Sequence, residues 1–287
     1  MSANLRGALW IVLGTLLFAL NDATVKFLGK TMTPFEIVWV RYVLGLVLLT
    51  PVFVHVGWRA LKTQRLRFHV ARAVVACTAQ VAAYFAIIEL MLADATAISF
   101  SRPLFQTALA VLILGEVVGR QRWWATAVGF VGVLIMVRPG MAGFQATSLA
   151  AVGAALLFGY SLILIRQMAR TEPTPRILFY YHLFGAIFFT GPAVHTWVTP
   201  NWTEAGLLFL VGALTTGAMW CFTRAYSQAE ASFVGPIEYV RLVYAAVLGY
   251  VVFTELPDLW TTVGAAIIVA SSLYLARREG GRAGAAA

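Results

Sequence analysis

The sequence predicts an all-α membrane protein of ten transmembrane helices, arranged as two inverted five-helix repeats. Three observations predict it. Of 287 residues, 61% are apolar and only 11% charged, with a mean hydropathy of +0.82, whereas soluble domains carry about 25% charged residues. Apolar runs long enough to cross a hydrocarbon core of about 30 Å recur along the whole chain. The two halves of the chain also match each other at a nearly constant offset.

Ten spans are read at 6–28, 34–55, 68–91, 94–115, 121–138, 146–168, 175–196, 204–228, 231–254 and 258–276. The first runs from Gly7 through Leu20 into Asn21-Asp22 without a small-x-small cleavage site, so it reads as a span and not as a leader. Spans 3 and 4 meet at Ala93-Asp94, and spans 8 and 9 at Ala229-Glu230. Pro103 interrupts span 4 and Gly235-Pro236 interrupts span 9. Each proline removes a helix donor and frees a carbonyl, which a membrane helix tolerates where protein or a wet cavity satisfies it; hinges and packing kinks both fit.

Orientation follows from the basic residues, because cytoplasmic loops retain Lys and Arg. With the N-terminus inside, fourteen of the 21 fall on the cytoplasmic side, Arg72 among them, and only Lys26, Lys30 and Arg138 on the other. Both termini are therefore expected in the cytoplasm of a cell whose inner membrane holds the protein. Trp58, Trp123, Trp124, Trp197, Trp202 and Trp260 fall at span ends, where amphipathic rings anchor. The net charge of +9 does not mark a nucleic-acid groove, since no basic run is interleaved with aromatics on a polar segment. Cys77 and Cys221 lie inside apolar spans and form no metal or disulfide framework. No motif calls for a cofactor; the partners expected are the lipid bilayer and a small-molecule substrate.

The repeat divides the chain at 1–140 and 141–287. Phe18 and Lys26 match Phe158 and Arg166 at an offset of 140, and Thr33-Pro34, Arg41 and Pro51 match Thr174-Pro175, His182 and Pro192 at 141. Asp94-Ala95 matches Glu230-Ala231 at 136, and Arg138 matches Arg277 at 139. An odd number of spans per half turns the copies in opposite directions, an arrangement typical of secondary transporters whose substrate site lies between the halves.

Further motifs are Phe18-Ala19-Leu20-Asn21-Asp22-Ala23, Ala93-Asp94-Ala95-Thr96-Ala97-Ile98-Ser99-Phe100, Leu114-Gly115-Glu116, Arg224-Ala225-Tyr226, Glu238-Tyr239, and Leu248-Gly249-Tyr250 through Glu255. On these the chain resembles the drug/metabolite transporter superfamily, and within it the EamA-type ten-helix members. The resemblance implies a cavity lined by spans 1–4 and 6–9, with spans 5 and 10 peripheral. The family includes exporters of amino acids and their derivatives, and carriers of riboflavin and S-adenosylmethionine. Arg102 and Arg241 depart from the pattern, which has small or hydroxyl residues there, and point to a more anionic substrate.

An ionisable side chain in the middle of a span costs about 2.5–3.5 kcal/mol on insertion scales and so faces a cavity or a partner. Arg102 is flanked by Ser99 and Gln106 on one helical face. At the offset of 136 it matches Glu238. Either Arg102 holds a substrate carboxylate while Glu238 faces the ammonium, or the two pair and join the halves. Arg241, one turn after Glu238, either binds or neutralises it. Arg41 and its repeat partner His182, the stripe Cys77, Gln80 and Tyr84 on span 3, the stripe Thr216, Trp220 and Arg224 on span 8, and Tyr239 complete the expected substrate site. Asp22 and Glu89, near span ends, are candidate proton sites.

The function expected is secondary transport of a zwitterionic or anionic metabolite, such as an amino acid or an opine-like derivative, by alternating access and in the direction of export. An importer of a flavin-like or nucleoside-like metabolite is the alternative, with Trp220, Tyr84 and Tyr239 stacking on it. There is no GxxxxGK[ST] loop for ATP and no HExxH or GxSxG set for an intramembrane enzyme.

Overall fold

The computed structural model describes residues 3–115, 120–139, 145–168, 171–228 and 235–283. The helices are α1 (Ala3–Leu28), α2 (Pro34–Val56), α3 (Leu66–Glu89), α4 (Leu92–Ser99), α5 (Arg102–Leu114), α6 (Arg120–Val137), α7 (Thr147–Met168), α8 (Thr174–His195), α9 (Trp202–Gln228), α10 (Val240–Phe253) and α11 (Leu259–Ala283). Short 3-10 turns occupy Trp58–Leu61 and Gly235–Tyr239.

Seven stretches are long and apolar enough to cross a membrane, with Leu92–Ile113 counted as one although it is broken between α4 and α5. Spans 5 and 10 contribute shorter apolar helices, Trp123–Val137 and Leu259–Ser271. The break between spans 3 and 4 falls at Leu90-Met91, slightly earlier than expected. The break between spans 8 and 9 lies outside the described residues.

Packing is two-fold in pattern. Helix α1 packs on α9 as α3 packs on α7, and α1 packs on α10 as α7 packs on α5. Self-paired contacts, α2 with α8 and α6 with α11, lie on the pseudo-axis. Glycine makes both axial crossings close. A side-chain carbon at Gly45 would strike the His182 ring, and one at Gly185 would strike Tyr42. In the peripheral pair, a carbon at Gly132 would lie 2.9 Å from the carbonyl oxygen of Gly264, and one at Gly264 2.7 Å from that of Gly132. Close backbone approach of this kind is how membrane helices gain packing where lipid offers no hydrophobic drive.

Each end of the molecule carries ties that cross between the halves. At one end Thr33 caps α2 in a reciprocal box with Glu36, a motif contributing about 1 kcal/mol. Fully buried Glu36 also accepts from the amide of Val198, and Thr33 meets Thr196 at 2.9 Å. Arg138 pairs with Asp258 at 2.6 Å at the same end. At the basic end Arg176 donates to the carbonyl of Ala60 at 2.8 Å and to Glu172 at 2.8 Å, and Thr63 donates to Glu172 at 2.8 Å. Burial alone would raise the Glu172 carboxyl, but the bonds from Arg176 and Thr63 and the charge of Arg176 hold it below the usual carboxylate range.

Tryptophans 123, 124, 197, 202 and 260 are exposed, as expected of anchors. The side chain of Trp58 lies outside the described residues. Arg72, read from the sequence as a cytoplasmic flank, is buried within α3. Lys26, read as an outer flank, is buried as well.

Candidate functional site

The candidate site grows from two broken spans. Pro103 has no amide to donate, and its ring excludes the carbonyl of Ser99 from a helical bond, so α5 starts afresh at Arg102. The Ser99 hydroxyl donates to the Thr96 carbonyl and the Ser101 hydroxyl to that of Ile98, both at 2.6 Å, so the break keeps carbonyls satisfied. In span 9 the Gly235–Tyr239 turn carries Glu238 and Tyr239 into α10.

The second pieces end alike. Gly115 and Thr254 are both left-handed, at φ 65° and 60°; the Gly115 amide donates to Ala110 and Val111, the Thr254 amide to Gly249 and Tyr250. Each equivalence is an offset of 139, the offset already seen for Arg138 and Arg277. In that register Arg102 corresponds to Arg241, which corrects the match with Glu238 expected at 136.

Contacts agree with the new register. The Arg102 guanidinium lies 4.9 Å over Phe158, and that of Arg241 lies 5.2 Å over Phe18. Phe18 and Phe158 are themselves repeat partners at 140. The site therefore presents two equivalent arginines, each held against the first span of the opposite half by a cation–π contact worth about 0.5–2 kcal/mol.

Counter-charge breaks the symmetry. Arg241 pairs with Asp22, one turn beyond Phe18. This replaces the expected contact with Glu238 and makes Asp22 a buried ion-pair partner instead of a span-end carboxylate. The residue equivalent to Asp22 is Leu162. Asp22 is 4% exposed and Leu162 37%, and the second half carries no charge at that position. Among the described residues no carboxylate lies within ion-pairing distance of Arg102, and its buried Nε has no hydrogen-bond partner. Glu238 and Asp22 act on Arg102 through their field, opposed by Arg241. The direct Arg102–Glu238 pair allowed by the sequence is not formed.

Polar and aromatic groups continue the site. Asn21 receives the Thr215 hydroxyl at 3.0 Å and approaches Asp22. Phe100 and Tyr239 bring their rings to 4.7 Å across the two breaks. Half-buried Gln106 follows Arg102 on α5, where a side-chain carbon at Gly159 of α7 would sit 3.3 Å from the Gln106 amide. Tyr84 and Gln80 are buried on α3, and Tyr84 reaches the fields of Asp22 and Arg41. Arg41 is buried against Tyr84, Tyr181 and Tyr42, while His182 packs edge-on to Tyr42 and Tyr181.

One expected placement is corrected. Trp220 is 59% exposed, on the face of α9 opposite Ala218 and Phe222, which pack toward α1, and Arg224 lies 5.0 Å over its ring. This stripe stands apart from the cluster because 200° separates residues i and i+2 on a helix. Glu89 is exposed at the last residue of α3, the span end where the sequence puts it. Among the described residues no group of His, Cys, Asp and Glu is arranged to hold a metal ion.

Comparison with known proteins decides the family. The EamA-like transporter family matches residues 5–138 and again residues 145–277. The chain belongs to the EamA-like transporter family. Its curated relatives include an S-adenosylmethionine uptake transporter of Rickettsia prowazekii, 32% identical over 97% of this chain and 95% of that one. A riboflavin transporter of Vibrio cholerae is 29% identical over 96% and 94%, and a pseudopaline exporter of Pseudomonas aeruginosa 27% identical over 96% and 97%. A solved crystal structure aligns at a TM-score of 0.62 and 18% identity, covering 96% of this chain and 98% of that chain, which shows a shared fold. The EamA-like chain is thus a multi-pass membrane protein of two repeats and a transporter of small metabolites by family.

Proposed function

We propose that the chain is an inner-membrane secondary transporter that takes up a metabolite bearing an amino-acid group, with S-adenosylmethionine as the first candidate. One observation carries this reading: half-buried Arg102 lies over an aromatic ring, its Nε buried, with no described carboxylate paired to it, whereas its equivalent Arg241 is neutralised by Asp22. A substrate carboxylate supplies the missing partner through the guanidinium fork, and Glu238 and Asp22 provide negative potential for the ammonium or sulfonium. The Phe100–Tyr239 pair offers a ring surface for a base. Uptake is set ahead of the export expected above because relatives at 30–32% identity carry S-adenosylmethionine inward.

Alternating access then requires ties at one end to open while those at the other hold. The basic end, with Arg176 and Glu172, is assigned to the cytoplasm on the count of Lys and Arg, and both termini go with it. A flavin-like substrate is the second reading, favoured by the Phe100–Tyr239 rings alone. The test is uptake of labelled S-adenosylmethionine by right-side-out and inverted vesicles, with riboflavin as competitor. Accumulation in right-side-out vesicles that riboflavin does not inhibit is expected; accumulation only in inverted vesicles overturns uptake.

A further inference from the structure

A second group of cations, which adds Arg72 to the Arg41 and His182 already described, lies where α2 crosses α8. Arg72 of α3 donates through Nη1 to the Ile177 carbonyl at 3.2 Å, and its guanidinium lies 4.8 Å over Tyr181. Tyr181 receives the Tyr42 hydroxyl at 3.1 Å, and the Arg41 guanidinium lies 5.6 Å over the Tyr42 ring and against Tyr181. His182 meets both tyrosines edge-on and feels both arginines. Among the described residues no carboxylate pairs with either guanidinium, which distinguishes this group from the Asp22–Arg241 pair.

The unsatisfied atoms share one chemistry. Arg41 Nη1 and Arg72 Nε are buried and without hydrogen-bond partners, and beside them stand the Tyr84 hydroxyl, which approaches Asn21, and His182, which approaches the Tyr42 backbone. Arginine nitrogens only donate, a tyrosine hydroxyl donates, and His182 Nδ1 donates in one tautomer. The complement of such a set is a group rich in acceptors and negatively charged. Two guanidiniums left unpaired in a membrane interior are costly, and an incoming anion removes that cost.

We infer that Arg41, Arg72 and His182, with Tyr84, form an oxyanion subsite that takes a carboxylate or phosphate group of the transported metabolite. The inference rests on the transport reading and deepens it. Arg102 takes one charged group, and the axial subsite takes a second group or the same group at a later stage of passage. Tyr84 links the two places, since it faces both Arg41 and Asp22.

Thermal unfolding of detergent-purified protein tests the subsite, with succinate, inorganic phosphate and S-adenosylmethionine titrated at constant ionic strength against chloride. A ligand of the native state raises the midpoint. At least one oxyanion is expected to do so beyond chloride, and Arg41→Gln and Arg72→Gln are each expected to weaken it roughly 10- to 100-fold. Without ligand, both variants should unfold at or above the wild-type midpoint, because an unpaired buried cation has been removed. No oxyanion effect on the wild type overturns the inference. So does Arg72→Gln with full affinity and a lowered midpoint, which marks the residue as a tie to Ile177. Should a glutamine variant not fold, Arg72→Lys keeps the charge but loses the fork, and wild-type affinity there overturns the subsite. Binding without uptake in vesicles would sink the transport reading alone; unchanged uptake in both glutamine variants would sink the subsite alone.

Discussion

Lys26 of the first half and Glu255 of the second meet at 2.5 Å in an ion pair that also reaches the break between α3 and α4. The ammonium donates to the Leu90 carbonyl, and the carboxylate accepts from the Leu92 amide at 2.8 Å. Phe253 lies 5.4 Å under the same ammonium. Three segments are held by one pair, so loss of either partner leaves a buried charge and open backbone groups.

Lys26→Met should therefore destabilise the protein by about 3–5 kcal/mol, as expected when one partner of a buried pair is removed. Lys26→Met combined with Glu255→Leu should recover part of that loss. A double-mutant cycle from unfolding in detergent checks it; strictly additive losses would show that the two side chains are not coupled.

Arg102→Ala and Arg241→Ala should separate. Removing Arg102 should abolish uptake while folded yield and midpoint hold, because no described carboxylate depends on it. Removing Arg241 strands Asp22 and should lower stability by about 3–5 kcal/mol. Uptake assays and thermal midpoints on the same preparations read both, and equal loss of stability in the two variants would count against the asymmetry.

Leu162→Asp installs the counter-charge that the second half lacks. The new carboxylate stands one turn from Phe158, as Asp22 stands from Phe18, and should pair with Arg102. Uptake is expected to fall at least about tenfold in affinity while the fold persists. A Leu162→Asn control should retain most of the activity; equal behaviour of Asp and Asn would rule out competition for Arg102.

Glu172 supplies the pH dependence. Its carboxyl titrates below the ordinary value of 4.5 in the folded chain, so its contribution is fully present above that value and is lost as pH falls through the lower folded value. The midpoint of the wild type should drop on acidification below about pH 4.5, and Glu172→Gln should flatten that drop while lowering the plateau at neutral pH. An unchanged acid profile in the variant would remove Glu172 from the account.

Gly45→Ala should destabilise the axial crossing, because the added methyl strikes the His182 ring. His182→Ala in the same chain should restore part of the loss, which unfolding midpoints of the single and double variants would reveal. Destabilisation unaffected by the second change would place the clash elsewhere.

Fold class and the two repeats were legible in the sequence because lipid enforces them, and the sequence also singled out Arg102 as an arginine within a span. Span length follows from membrane thickness, and an arginine within a span needs a reason to be there. The register of the broken spans was not legible. Glu238 and Arg241 are three residues apart, and only the left-handed caps at Gly115 and Thr254 show which of them corresponds to Arg102. Arg72 and Lys26 were misplaced because both lie within two turns of a helix end, where composition cannot separate a loop flank from a buried side chain. Trp220 was placed in the cavity on spacing alone, and spacing of four marks a face without saying which way it turns.

The backbone contact of Gly132 with Gly264 has a mechanical consequence. Side-chain ties such as Lys26–Glu255 can part and re-form, but two helices touching through glycine have no such slack to give up. On the proposed alternating-access cycle, the α6–α11 crossing is the expected fulcrum, and a bulky residue at either glycine is expected to stop uptake before it unfolds the protein.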